Sequence, residues 1–184
     1  MYKRQGNAPP KEEAFSWHLS VDPADSSSTH ALLIGKSEDG FWVYDEWRWD
    51  ARMQGQLEHR EQIEKIKEWL DNLNVTLNWA VYDTASPNYG LLLHRILGIR
   101  TIGAIKDVED GIRVTQAWLA DGRIKFDERA KWAIMELGTY QWDENAAERG
   151  EDKPLKSNDH AMDALRYFVY LRHPRGQKVR RISA

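Results

Sequence analysis

The sequence predicts an α/β fold: a mixed sheet of three antiparallel strands followed by parallel strands, with helices on both faces. Three observations carry that prediction. Residues 15–49 hold apolar and aromatic runs separated by short polar turns. From Gln56 the pattern changes to that of an amphipathic helix. Beyond it, apolar runs at Trp79–Tyr82 and Ile99–Ile105 alternate with helical stretches, as parallel strands joined by helical crossovers do.

Residues 1–14, with Lys3, Arg4, Gly6, Pro9, Pro10 and Lys11, read as a flexible leader. Phe15–Val21 alternates, apolar at Phe15, Trp17, Leu19 and Val21, and stops at Asp22-Pro23, because proline lacks the N–H a ladder needs. Ser26–Thr29 forms a polar turn, and Ala31–Gly35 is the second strand. Lys36–Gly40 is a tight polar connection in which Asp39-Gly40 suits a hairpin into the aromatic third strand, Phe41–Trp49. Three strands on short turns make an antiparallel meander.

Gln56–Leu73 follows as a helix with Ile63, Ile66, Leu70 and Leu73 on one stripe. Trp79–Tyr82 is a buried strand ending in Asp83, and Ser86-Pro87 opens a helix that Gly98 closes. The strand Ile99–Ile105 ends at Lys106, and Asp107–Leu119 is helical. After the turn at Asp121-Gly122, Arg123–Phe126 is a short strand or extended piece, Arg129–Leu137 a helix and Trp142–Ser157 a polar loop. The last helix starts after Asn158 or Asp159, either of which can cap it through a side-chain oxygen. It runs apolar through Ala161, Met162, Ala164, Leu165, Phe168 and Val169 to near Leu171. This order is the plan of an RNase H-like fold over residues 15–172, with a basic tail at 173–184.

The chain's 184 residues suffice for one domain with a real core. Net charge is −3 and pI about 6.1, so no global positive field draws the chain to nucleic acid or membrane. Arg172, Arg175, Lys178, Arg180 and Arg181 crowd the C-terminus, which leaves the rest of the chain at −8. An acidic body suits metal binding better than bare electrostatic attraction to DNA. The chain has no cysteine, which excludes disulfides and zinc–thiolate sites. With no long apolar run and a polar start, the expectation is a soluble intracellular protein.

Asp22 and Asp83 each end a strand, and ligands of open α/β sheets bind at strand carboxyl ends. Asp159, His160 and Asp163 share one sector of the last helix's first turns, because residues three and four apart are neighbours. Asp163 on a helix beside the strand ends adds a third carboxylate. Clustered carboxylates repel one another, so such a site implies hard divalent cations with oxygen ligands, Mg²⁺ or Mn²⁺. Two such ions roughly 3.5–4 Å apart supply phosphodiester hydrolysis. Taken singly, Asp22 is also an ordinary turn residue before proline, and Asp83 an ordinary helix cap. Taken with the last helix, they favour a site.

Asp83-Thr84-Ala85-Ser86-Pro87, Lys106 after a strand, Glu136-Leu137-x-x-Tyr140-x-Trp142 and Asp159-His160-Ala161-Met162-Asp163-Ala164-Leu165-Arg166-Tyr167 resemble the C-terminal nuclease domain of phage terminase large subunits. The resemblance covers about Trp17 to Tyr170. It implies that Asp22, Asp83 and Asp163 coordinate two Mg²⁺ or Mn²⁺ and cut concatemeric double-stranded DNA during genome packaging, leaving 5′-phosphate and 3′-hydroxyl ends. It implies supporting roles for Asp159 and His160, and a weaker candidacy for Asp25 near the first metal position. Lys106 resembles the family's lysine beside the groove, where it would touch a phosphate; an exposed strand-end lysine is the alternative. Arg166 and Tyr167 are expected to fix the last helix against the sheet. Glu46 is expected on the sheet surface, with approach to the first strand's Asp as the alternative.

The family's ATPase needs a phosphate-cradling G-x-x-x-x-G-K-[ST] loop. Here Gly35-Lys36-Ser37 has His30 where the first glycine belongs and falls in the expected hairpin turn, so this chain is not the motor. It is expected to be a nuclease domain of a longer protein or a separate product acting with an ATPase. The implied partners are double-stranded DNA, the terminase ATPase domain and small subunit, and the portal protein, with no membrane, in the host cell cytoplasm. Arg175, Lys178, Arg180 and Arg181 would follow DNA phosphates or dock the portal, or form a solvated tail. The rival readings are a Holliday-junction resolvase or RNA–DNA hybrid nuclease of the same fold, and a catalytically silent module that binds the packaging motor or portal.

Overall fold

In β2 (Ser16–Asp22) successive side chains alternate between the two faces of a central strand, and the residues there differ accordingly. Trp17, Leu19 and Val21 join one core, and His18, Ser20 and Asp22 point to the other face. The computed structural model describes residues 5–139 and 159–174. Its other strands are β1 (Gln5–Gly6), β3 (Ser28–Ser37), β4 (Gly40–Asp50), β5 (Trp79–Tyr82), β6 (Arg100–Gly103) and β7 (Ile124–Asp127). The helices are α1 (Ala51–Gln54), α2 (His59–Leu73), α3 (Pro87–Leu97), α4 (Val108–Ala120), α5 (Lys131–Thr139) and α6 (His160–Arg172).

Among the described residues, seven strands form one sheet in the order β1-β7-β4-β3-β2-β5-β6. β2, β3 and β4 form the antiparallel meander, and β5 and β6 extend it in parallel from β2. The mixed α/β, RNase H-like plan expected from the sequence is the one observed. α2 and α3 cover one face over Leu19, Val21, Leu33 and Tyr44. α4, α5 and α6 cover the other over Leu32, Ile34, Val43, Val81 and Phe126. Each such buried side chain contributes about 1.5–3 kcal/mol, which offsets the entropy of ordering the chain. No helix among the described residues is long and apolar enough to cross a membrane.

Several local readings need correction. β3 takes in Ser28, Thr29 and His30, so the polar turn is shorter than its composition suggests. Gly35-Lys36-Ser37 lies at the end of β3 rather than in a turn; the turn is Glu38-Asp39, followed by Gly40 at φ +129°. Arg123–Phe126, ambiguous in the sequence, corresponds to strand β7, parallel to β4. Within the stretch expected to be a flexible leader, Gln5–Gly6 pair in parallel with β7, and the Ala8 N–H donates to Asp127 Oδ2 at 2.8 Å. The loop read over Trp142–Ser157, Asn158 and the tail residues Arg175, Lys178, Arg180 and Arg181 lie outside the described residues.

Candidate active site

The polar face of β2 and one stripe of α6 match in spacing. His18 lies 5.6 Å from the Phe168 ring, Ser20 Oγ donates to the Ala164 carbonyl at 2.5 Å, and Asp22 Oδ2 meets His160 Nδ1 at 2.8 Å. Four strand residues span about 13 Å and eight helical residues about 12 Å, so three successive contacts stay in register. β5 runs parallel beside β2 with Val21 opposite Tyr82, and the Asp83 N–H donates to the Val21 carbonyl at 3.3 Å. Asp83 therefore leaves its strand next to Asp22.

The Tyr167 hydroxyl lies 3.1 Å from Asp22 Oδ1 and 3.3 Å from Asp83 Oδ2. Asp163 stands one turn earlier on α6, and its charge acts on both Asp22 and Tyr167. Each of the three carboxylates has its own cationic or imidazole partner. His160 serves Asp22, Lys106 Nζ serves Asp83 at 2.5 Å, and the Arg166 fork serves Asp163 at 2.8 and 3.2 Å. Arg166 is only 6% exposed and is seated against Gly111, where a Cβ would stand 3.1 Å from its stem carbons.

Burial raises the Asp22 carboxyl above its ordinary range, and the Asp163 charge adds to this against the pull of His160 and Tyr167. Asp83 shifts the other way. Burial raises it, but Lys106, the Ala85 N–H and Tyr167 together outweigh burial and hold it low. The bond to Asp22 raises the His160 imidazole. Burial and then the carboxylates Asp22, Asp163 and Asp83 push the Tyr167 hydroxyl far up, so it remains a proton donor.

Of the other candidates, Asp25 is 79% exposed at its side chain and pairs with His59 Nε2 at 2.8 Å. Asp159 occupies the N-cap position of α6, but its side chain makes no capping bond. That role falls to Glu136 of α5, whose Oε2 accepts from the Ala161 N–H at 2.7 Å and the Met162 N–H at 3.3 Å. Glu46 is not on the surface: it accepts from the Trp132 and Ala133 N–H groups at the start of α5 and meets His30 Nε2 at 2.9 Å. Sequence reasoning gave Tyr167 a packing role only. Its place four residues after Asp163 and seven after His160, on the same helix face, was the available signal. Glu136 carries no periodic signal for capping, being 25 residues from the amide it caps, although it stands in the Glu136-Leu137-x-x-Tyr140-x-Trp142 stretch that carries the family resemblance.

The donor set of three carboxylates and one imidazole, with no sulfur, suits a hard divalent cation. Among the described residues, no group of three or more His, Asp or Glu is spaced to enclose such an ion in this arrangement. The cationic partners hold the carboxylates instead.

Residues 19–171 match the family model described as the terminase RNaseH-like domain. Over 164 residues the chain is 27% identical to the large subunit of terminase from Escherichia phage T5, covering 86% of this chain and 36% of that protein. The large terminase of a thermophilic bacteriophage superposes with a TM-score of 0.84 at 30% identity, over 92% of this chain and 43% of that one. The nuclease domain of the large terminase from bacteriophage SPP1, with bound Mn, shares the fold: TM-score 0.62, 16% identity, 93% of this chain and 97% of that one. The chain thus spans well under half the length of the T5 protein and of the thermophilic phage's protein. It belongs to the terminase RNaseH-like domain family.

Proposed function

We propose that this chain is a metal-dependent endonuclease of phage DNA packaging that hydrolyses phosphodiesters of double-stranded DNA with little sequence specificity. The observation that carries the reading is the meeting of Asp22 and Asp83 at one Tyr167 hydroxyl, with Asp163 a turn away on the same helix. The Mn bound to the SPP1 nuclease domain supports a divalent metal. Asp22, Asp83 and Asp163 would hold two Mg²⁺ or Mn²⁺. When bound, such ions supply activation of water and stabilisation of the leaving oxygen. His160 orients Asp22, Arg166 orients Asp163, and Lys106 stands beside Asp83 where it can take a phosphate oxygen. The rest of a terminase large subunit with its ATPase, the small subunit and the portal are the proposed partners, in the host cell cytoplasm.

A catalytically silent module that binds the packaging motor or portal is the second reading. It is favoured by the partner each carboxylate already has and by the absence of an ion-enclosing group among the described residues. Plasmid nicking in Mn²⁺, with EDTA controls, separates the two. The nuclease reading requires that Asp83→Ala and Asp163→Ala each abolish nicking while circular dichroism stays native. Undiminished cutting by both variants, or no cutting by the parent protein, refutes it.

A further inference from the structure

We infer that Glu136 is the positioning residue that sets α6, and with it Asp163 and His160, against the strand-end carboxylates. Asp22 and Asp83 need no such device, because ladder hydrogen bonds join β2 to β5 directly. α6 is different. It is separated from β5 by more than seventy residues and belongs to no ladder. α6 is tied to β2 at its middle by Ser20 Oγ on the Ala164 carbonyl, but that bond leaves the amides of its first turn unheld, and a shift of that turn would move His160 and Asp163 off the site.

Directional bonds from a buried side chain to the helix backbone remove that freedom. Glu136 is 5% exposed, and its Oε2 accepts from two successive amides of the first turn, Ala161 and Met162. The helix dipole favours a carboxylate there. Asp159, at the N-cap position itself, makes no such bond with its side chain.

Glu136 is in turn held to the sheet. It sits on α5, whose first amides, Trp132 and Ala133, are bound by Glu46 of β4 at 2.5 and 2.9 Å. His30 of β3, fully buried, lies between the two acids, with Nε2 2.9 Å from Glu46 and Nδ1 3.8 Å from Glu136 Oε1. Two carboxylates therefore cap α5 and α6, with one buried histidine bonded to Glu46 and standing 3.8 Å from Glu136. His30 is also the ladder partner of Asp22, so the anchor and the site meet on one row of the sheet.

The inference rests on the nuclease reading for its metal arm only. Its test compares Glu136→Gln, which keeps one acceptor oxygen for the amides, with Glu136→Asp, which keeps the charge but falls short, and Glu136→Leu, which keeps volume alone. Two quantities are measured: amide hydrogen exchange at Ala161 and Met162 without metal, and Mn²⁺ affinity by electron paramagnetic resonance. The expected result is near-native protection and affinity in the Gln variant. In the Asp and Leu variants protection at those two amides is lost and Mn²⁺ affinity falls about 10–100-fold, the range for residues that orient metal ligands.

Native protection of both amides in the Asp variant overturns the inference, and so does native Mn²⁺ affinity there. If Glu136→Leu does not fold, the Asp and Gln variants decide. If the parent protein binds no Mn²⁺, the nuclease reading fails, and the exchange data still decide whether Glu136 anchors α6.

Discussion

Asp22 and Asp83, 61 positions apart in the chain, lie within 3.1 and 3.3 Å of the same Tyr167 oxygen. The hydroxyl has one proton to share between two carboxylates carried by adjacent parallel strands. Tyr167→Phe keeps the ring and removes the donor. In EDTA, urea unfolding is expected to show a loss of about 1–2 kcal/mol, the cost of leaving buried acceptors short of a partner. An unchanged midpoint would mean the hydroxyl does not hold the pair together.

Glu136 makes the metal-free protein sensitive to pH. Burial raises its carboxyl from 4.5 to about 7. Between those values the folded state keeps a proton that the unfolded chain has released, so stability falls as pH rises through that window. His160, raised by Asp22, acts in the same direction: its contribution is present below 6.5 and lost as pH rises through the folded value. Asp83 is lowered, so its contribution is lost only on acidification below 3.8. Thermal melts in EDTA are expected to give a higher Tm at pH ~5.5 than at pH ~8, with Glu136→Gln flattening the slope. Equal midpoints in the parent protein would contradict this.

Lys106 holds Asp83 in its charged form. The lysine is half exposed, so solvent screens the pair and its worth to stability stays under about 1 kcal/mol. The carboxyl itself is the better reporter. Carbon-detected NMR titration of Asp83 in Lys106→Met should show its midpoint rise, with the fold unchanged. A midpoint that stays low would assign the shift to the Ala85 N–H and Tyr167 instead.

Gly90 of α3 is packed directly on the Tyr82 ring, one residue before Asp83, and a Cβ there would overlap the ring. Gly90→Ala is expected to cost about 1–3 kcal/mol by overpacking, although alanine is the better helix former. Chemical denaturation measures the loss. A neutral or stabilised variant would show that β5 and α3 can part without strain.

Much of this molecule was legible in its residues because local period reports local structure. Phe15, Trp17, Leu19 and Val21 marked β2, and the residues alone put its last one, Asp22, at a strand carboxyl end. The stripe Ile63, Ile66 and Leu70 marked α2, and the apolar run before Asp83 marked β5. Misreadings fell where polar residues are buried. Ser28 and Thr29 looked like a turn and form strand, where Thr29 finds a side-chain partner in Gln62. Glu46 looked like a surface acid and is buried among amides of a helix 86 residues away.

The sequence by itself determined the core strands and longer helices and which acids end them, though not β1 or α1, since alternation and helical period depend on neighbours within a few residues. Only the tertiary structure decided who partners those acids: His160 for Asp22, Lys106 for Asp83, Tyr167 for two carboxylates at once, and Glu136 in place of Asp159 as the cap of α6. The reason is physical. A hydrogen bond between residues 25 or 138 positions apart depends on how helix and sheet dock, and no periodicity along the chain encodes that.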